Sequence, residues 1–593
     1  MNGKSLYADP KLATFRRGGA PLPSTYWLWP LYGAGLENLG RDDQPIQVPM
    51  PACGPDQLLV RHDAVGLCFS DTKVIKAGDT HPRLNGRNMK AEPVVLGHEV
   101  ALTVIQVGEN LRDRYQPGQR FIIQADIYYK GVGLAYGYVL QGGLSQFNVV
   151  GPEVLDGDEG SYLLPMQEHT GYAQAALTEP WACVVASYTV EYRAGWKPGG
   201  AALIVAGPGA AGDYALGVPY AAGQAPAKIV AMGLGGALQA ELRRRAAADG
   251  YTLLEIESDA LDEKALEQVR RANDGHGYDD IVMLGANAAL YEALEPLAAK
   301  GATLNLVGAA ALTERAQVDA GRLHYDGLSL VGTAGCEIAA AYAPIRTELR
   351  PGGRAAMLGA AGPMGQMHFQ RALQASEGPS LLVATDLVAE RMAELQTKFG
   401  QLIADKAATC QVALCTPKAG QSGAEFNADL LALTGGQGYD DIVVLAPSGG
   451  VAAGAVGMLA PGGVMNIFAG LAIGTRAPFD LTAVVERGVR FTGTSGSSIA
   501  DLRGMLNEAE SGRLDPNLSV VAVSGMKDAK KGLDGVVHQA FPGKVVIYPQ
   551  LLDFPLTRLE DMESVLPAVY AKLGPNHSWT IEAEAEFLKE LLP

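Results

Sequence analysis

The spacing of apolar positions changes near residue 180. Before it, the runs Gln57–Ala64, Val94–Val107 and Arg120–Ala125 sit between Gly/Pro turns and predict β-strands. Beyond Glu179, short apolar runs of strand length alternate with helical spacing. Strands such as Ala201–Ala206 and Ala355–Leu358 each run into a glycine loop. The chain returns to a strand at Lys544-Val545-Val546-Ile547 and ends in an acidic tail. There Ile581, Ala585, Leu588 and Leu592 fall near one helix face, predicting a helix docked on its own protein.

The alternating region repeats itself. Cys183 to Gly199 aligns with Cys336 to Gly352, and Gly212 with Gly365, at one offset of 153. Gly277–Val282 then matches Gly438–Val443, and Gly332-Thr333 matches Gly493-Thr494, at an offset of 161. Four matched blocks in the same order indicate a tandem duplication with a short insertion in the second copy, and the period is domain-sized. Each copy is expected to open with a helix, then a strand, a glycine loop and another helix, the start of a doubly wound parallel sheet. The expected fold class is therefore α/β: a mostly β unit over 1–180, completed by about 521–550, then two Rossmann-type units over 181–335 and 336–520, and a helical tail over 551–593.

Composition narrows the function. The 593 residues carry 47 Lys+Arg against 64 Asp+Glu, a net charge of −17, which disfavours nucleic acid or an anionic membrane surface as partner. No apolar run of about 18 residues predicts a membrane span. The Met1–Ser5 start has no apolar core of a signal peptide. Six cysteines without a dense framework fit a reducing compartment, so a cytoplasmic protein is expected.

The glycine loops are Gly207-Pro208-Gly209-Ala210-Ala211-Gly212 in copy one and Gly359-Ala360-Ala361-Gly362-Pro363-Met364-Gly365 in copy two. Glycines there permit a tight turn and close approach to a pyrophosphate at a helix N-terminus. About 20 residues on, copy two has Asp386, an acid able to accept hydrogen bonds from a ribose, which favours NAD. At the same offset copy one has Gly233. Copy two is thus the expected NAD site, through Gly359, Gly362, Pro363, Met364, Gly365 and Asp386, ahead of Gly207, Gly209 and Gly212. The alternative is NADP in copy one, with Arg243, Arg244 and Arg245 downstream of Gly233.

The first unit carries Gly66-Leu67-Cys68-Phe69-Ser70-Asp71-Thr72, then Gly97-His98-Glu99, and Glu179-Pro180 follows. Cysteine, histidine and carboxylate suit zinc, and three protein ligands leave a position open for catalysis. In this order, with the glycine loops and Gly543-Lys544-Val545-Val546-Ile547, the chain resembles the zinc-dependent medium-chain dehydrogenase/reductase superfamily, whose first domain is GroES-like. His81-Pro82-Arg83, Gly142-Gly143-Leu144, Gly362–His368 and Asn466–Gly470 are most similar to its polyol and sugar-phosphate branch, the sorbitol dehydrogenases and L-sorbose-1-phosphate reductases.

The resemblance implies one catalytic zinc held by Cys68, His98 and Glu179, with Glu99 exchanging at the metal. It makes Ser70 the hydroxyl that relays the substrate proton and Asp71 the partner that orients His98. The family's four-cysteine structural lobe is missing, since 124–150 contains no cysteine. Gly332-Thr333 stand where a second Glu179-Pro180 would be, so one metal site is expected. The implied activity is hydride transfer between NAD(H) and an alcohol or carbonyl of a polyol, sugar or sugar phosphate, in a homo-oligomer (dimer or tetramer). Lys73, Lys76, Arg83 and Arg87 are candidate cations for a substrate phosphate. Alternatives are an NADP-dependent reductase, a lyase or epimerase that recycles its cofactor, or a non-catalytic nucleotide-sensing scaffold.

Overall fold

The computed structural model describes residues 9–592, apart from 211, 259–260, 309–311 and 313. Its eight-stranded sheet is built from both ends of the chain. The central strand Leu58–Gly66 pairs antiparallel with Glu99–Val107 on one side and Lys544–Tyr548 on the other. All nine of its residues are buried, so its polar members need partners. Arg61 and Asp63 pair at 2.7 Å, and His62 Nε2 lies 2.7 Å from the Tyr136 hydroxyl.

The single strand expected over Val94–Val107 is two. Val94–Val95 pairs with Pro30–Leu31, and Glu99–Val107 enters the large sheet. Gly97, at φ +96°, turns the chain between them, which lifts His98 out of the ladder.

Both copies form six-stranded parallel sheets of the same order, third-second-first-fourth-fifth-sixth. Copy one runs Thr252–Ile256, Lys228–Met232, Ala201–Ala206, Tyr278–Leu284, Ala298–Val307, Ser329–Thr333. Copy two runs Gln411–Cys415, Leu381–Thr385, Arg354–Leu358, Tyr439–Val444, Leu459–Ile467, Arg490–Thr492. This is the doubly wound order of dinucleotide-binding domains, as the sequence predicts. The repeat extends to side chains. The Tyr278 hydroxyl donates to the Val269 carbonyl at 2.6 Å, and that of Tyr439 to the Leu430 carbonyl at 2.6 Å. Arg193 pairs with Asp280 at 2.9 Å, and Arg346 with Asp441 at 2.5 Å.

The copies meet through a local two-fold. Ala316–Asp319 pairs antiparallel with Arg476–Phe479, with Ala316 opposite Phe479 and Val318 opposite Ala477. Ala477 is the repeat equivalent of Ala316, and Phe479 that of Val318. Each copy therefore offers the same strand to the other, the self-complementary contact of a two-fold dimer made within one chain. The edge strands Ser329–Thr333 and Arg490–Thr492 also pack together, and one apolar core runs through both copies. A second core joins copy two to the first unit and the tail. In that tail the helix Ile581–Leu591 buries Glu584, whose carboxylate accepts the amides of Tyr172 (2.6 Å) and Ala173 (2.7 Å) and the Tyr548 hydroxyl (2.8 Å).

Two expectations about the copies are corrected. Copy two does not open with an α-helix. It has only the 3-10 turn Ile338–Ala341 where copy one has the helix Thr178–Ala186. Nor does the glycine loop of copy one open a helix. The described residues between Ala201–Ala206 and Lys228–Met232 form only turns, bends and bridges. Gly217 (φ +61°), Val218 (φ +55°) and Pro219 interrupt the segment where helical turns would form. In copy two the uninterrupted stretch after Pro363, a residue suited to a first helical position, forms the helix Pro363–Gln374.

Candidate metal centre and nucleotide crevice

Cys68 is the N-cap of the helix Phe69–Ala77, and its amide donates to Asp71 Oδ2 at 3.0 Å, half of a capping box. Asp71 Oδ1 accepts the Gly97 amide at 3.3 Å and lies 3.3 Å from His98 Nδ1. That approach has ion-pair distance but not the angle of a hydrogen bond. One buried carboxylate thus ties the cysteine turn to the histidine turn and leaves Nε2 as the remaining ring nitrogen. Cys68, His98 and Glu99 each present a ligand atom, all within 4.8 Å of one another.

Glu99 follows from sheet register. It stands opposite Gly66, where a Cβ would come within 2.0 Å of Glu99 Oε2, so only glycine leaves room for the carboxylate. Val546 also pairs with Gly66, and two residues earlier Lys544 forms a buried ion pair with Glu99 Oε1. Glu99 Oε2 is buried without a partner. Burial alone would lower the His98 pKa, but Asp71 and Cys68 outweigh it and hold it well above the usual value. The same negative charge that raises the His98 pKa would favour a metal cation in place of that proton.

Glu179, expected as the third ligand, lies outside the 4.8 Å group, which holds Glu99, the residue expected to exchange at the metal. Glu179 is buried close by on the helix Thr178–Ala186. Burial, with Glu99 and Asp126 nearby, pushes its pKa up to about 7. Ser70 lies in the first turn of the Cys68-capped helix, its amide 3.5 Å from Cys68 Sγ.

Of the four candidate cations, Arg83 pairs with Asp126 and stacks over Tyr138 at 4.6 Å, while Arg87 donates to the Val139 carbonyl at 2.7 Å. Lys76 is exposed on its helix. Lys73 is exposed and, among the described residues, forms no ion pair; its amine lies 3.4 Å from the Tyr325 hydroxyl. Tyr138 packs between the rings of His98 and His81, with centroids 5.8 and 5.6 Å away. Lys544, Tyr138 and Tyr325 were not singled out from sequence. Of these, Lys544 lies in the motif Gly543–Ile547, and its role follows only from the sheet register.

Copy two faces the cluster. The helix Pro363–Gln374 packs on the Glu179 helix. The Ser497 carbonyl accepts from Gln124 Nε2 at 2.6 Å, and a Cβ on Gly496 would meet Asp126 at 2.9 Å. Its glycine loop is tightly folded. Gly359 has φ +92°, and a Cβ on Gly365 would lie 2.5 Å from the Gly359 carbonyl oxygen. A Cβ on Gly362 would meet nothing within 4 Å, so that face is open. Met364 and Pro363 stand in the helix's first turn. Gln366 braces the loop, donating to the Ala361 carbonyl at 3.1 Å while accepting from Lys398 at 2.7 Å. Asp386 ends the second strand, half-buried, its carboxylate accepting the Val388 amide at 3.1 Å.

The crevice of copy one is filled by its own chain. The Tyr214 ring lies where a Cβ on Gly308 would come within 2.8 Å, at the carboxyl end of the strand Ala298–Val307. Ala215 and Leu216 are tied to the linker: Ala215 N donates to the Cys336 carbonyl at 3.0 Å, and Ile338 N to that of Ala215 at 2.9 Å. Gly233 has φ +67°. Arg243 pairs with Glu255 and Arg245 with Glu241 and Asp249, a charged helix face.

Residues 54–155 match the alcohol dehydrogenase GroES-like domain. Over 323 residues the chain is 28% identical to mannitol-1-phosphate 5-dehydrogenase of Aliivibrio fischeri, covering 50% of this chain and 72% of that protein. It is 28% identical over 319 residues to L-sorbose 1-phosphate reductase of Klebsiella pneumoniae, covering 51% and 75%. The solved structure of 2R,3R-butanediol dehydrogenase from Bacillus subtilis superposes with a TM-score of 0.49 at 14% identity, over 89% of this chain and all of that one. Among the described residues no helix is long and apolar enough to cross a membrane.

Proposed function

We propose that this chain, an alcohol and polyol dehydrogenase-like oxidoreductase with a GroES-like domain, transfers hydride between NAD(H) and a polyol or sugar phosphate with the help of one zinc ion. The observation that carries the reading is the convergence of Cys68, His98 and Glu99 within 4.8 Å, beside the second nucleotide-fold copy. The donor set suits zinc: a thiol, an imidazole and a carboxylate with one buried oxygen unpartnered. Similarity to sugar-phosphate dehydrogenases supports the substrate class.

Bound there, zinc would supply Lewis acidity to the substrate oxygen and NAD the hydride acceptor. The chain's own residues do the rest. Asp71 holds His98 in orientation. Lys544 pairs with one oxygen of Glu99 and leaves the other, Oε2, for the metal, and Glu179 stands as a neighbouring carboxylate. Ser70, beside Cys68, carries the proton of the substrate hydroxyl. The Gly359–Gly365 loop and the helix after it receive the pyrophosphate, and Asp386 accepts from the ribose. The protein works in the cytoplasm. Any homo-oligomer uses a face other than the strands Ala316–Asp319 and Arg476–Phe479, which already cover each other.

Elemental analysis of the purified protein tests the metal, with one zinc per chain expected. Cys68→Ser should lose zinc and NAD-linked oxidation of polyol phosphates together, because the thiolate is a principal ligand. Full activity in metal-free protein would overturn the reading.

A further inference from the structure

Three parts of the molecule meet at the helix that Cys68 caps. Lys73 lies on the helix that Cys68 caps, one turn beyond Phe69 and Ser70, and its amine sits over the exposed Phe69 ring at 5.9 Å. Tyr325 ends the helix Ala320–Tyr325 of copy one, and its hydroxyl accepts from Lys73 at 3.4 Å. Gly470 belongs to copy two, just past the carboxyl end of the strand Leu459–Ile467. A Cβ on Gly470 would lie 3.1 Å from the Tyr325 hydroxyl and 3.5 Å from the Lys73 amine. Ligands of open α/β sheets bind at the carboxyl ends of strands, so this point lies at the rim of the nucleotide crevice of copy two, on the helix that Cys68 caps.

This point carries a cation, Lys73, in a strongly acidic chain. Among the described residues Lys73 has no carboxylate partner. His81 and His324, on different domains, both lie within reach of its charge. Tyr325 and His324 also line an open cavity of about 340 Å³ that holds both signs of charge, Arg193 and Lys300 with Glu191 and Asp326, and borders Gly493 of copy two. His324 is fixed from below by the Ile467 carbonyl at 3.1 Å and by the Phe468 ring. Tyr325 is therefore held at the mouth of the cleft by the two-fold packing of the copies, on a helix that follows directly from the shared strand Ala316–Asp319.

We infer that copy one serves as a built-in second subunit that completes the substrate cleft, with Tyr325 and Lys73 together binding the phosphate end of a phosphorylated polyol or ketose. The inference rests on the substrate class proposed above and adds the residues that select it. Lys73 supplies the charge, and Tyr325 holds the ammonium in place and donates its hydroxyl to a phosphate oxygen. A duplicate whose own crevice is closed by Tyr214 still has reason to keep its fold, because the cleft lacks a wall without it.

Two measurements decide it. Calorimetric titration of the NAD-loaded protein with sorbitol 6-phosphate and with sorbitol should show tighter binding of the phosphate ester. Lys73→Gln should weaken the ester by about 10- to 100-fold, the worth of a charge-assisted contact. Tyr325→Phe should weaken it about 3- to 10-fold, and neither change should alter sorbitol binding or zinc content. In turnover the losses should fall on KM and leave kcat within about twofold. Equal weakening of ester and polyol, or ester binding untouched by both substitutions, would overturn the inference. If no polyol is oxidised by any form, the dehydrogenase reading fails, while the two binding series still decide whether Lys73 and Tyr325 hold a phosphate.

Discussion

The two nucleotide-fold copies share a strand order, a buried tyrosine and an Arg–Asp pair, yet they differ where a nucleotide would lie. In copy two the glycine loop opens a twelve-residue helix and an acid ends the second strand. In copy one the loop leads into an irregular segment that lays Tyr214 across the crevice, and Gly233 takes the acid's place. What holds a Rossmann sheet together is thus separable from what makes it bind. The first is spread over every strand; the second rests on one loop, one helix start and one carboxylate.

The sharpest way to break the comparison is a matched pair of glycine substitutions. Gly365→Ala places a Cβ 2.5 Å from the Gly359 carbonyl oxygen, so the loop must shift. NAD affinity should fall about 100-fold or more, roughly 2.7 kcal/mol. Gly209→Ala meets nothing nearer than 3.3 Å and should leave NAD binding unchanged. Equilibrium titration by protein fluorescence reads both.

A second pair tests the shared scaffold. Arg193→Met and Arg346→Met each leave a buried aspartate, Asp280 or Asp441, without its main cation. Losing one partner of a fully buried pair costs about 3–5 kcal/mol. Both arginines are about a quarter exposed, so about 2–3 kcal/mol is expected in each copy by urea denaturation. A loss confined to copy two would mean that copy one no longer relies on the inherited pairing.

Much of this comparison was legible before any coordinates. The offsets of 153 and 161 exposed the duplication, and Gly233 against Asp386 marked the copy lacking an acid. The missing helix in copy one was misread, although Gly217-Val218-Pro219 carried the signal, because a glycine motif after a strand was taken to imply the helix. At the metal cluster, Cys68, His98 and Asp71 follow from local turns, and local turns are written in sequence. Lys544 reaches Glu99, and Tyr325 reaches Lys73, from several hundred and about 250 residues away. Their placement depends on sheet register and on the two-fold packing of the copies, neither of which a single sequence displays. Glu179 and Glu99 are both expected at the metal; the structure brings Glu99 within 4.8 Å of Cys68 and His98, while Glu179 is buried close by outside that group.

Smaller effects sharpen the account further. If Asp386 accepts from the ribose as proposed, Asp386→Ala should weaken NAD about 10- to 100-fold, the worth of a charge-assisted hydrogen bond of about 1.5–3 kcal/mol. It should narrow the preference over NADP, measured as the ratio of dissociation constants. The converse change, Gly233→Asp, should create no second site, because among the described residues the glycine loop of copy one leads into no helix that could receive the phosphates. Smallest of all, Arg243→Gln removes an exposed ion pair with Glu255. Stability should change by less than about 0.5 kcal/mol and NADP affinity not at all.

The central claim is that one copy binds nucleotide and the other has become structure. Calorimetric titration of the full chain with NAD tests it most directly, run on the wild type and on Asp386→Ala. The account predicts one site per chain in the wild type, weakened by the substitution. Two sites of similar affinity, or one site indifferent to Asp386, would contradict it.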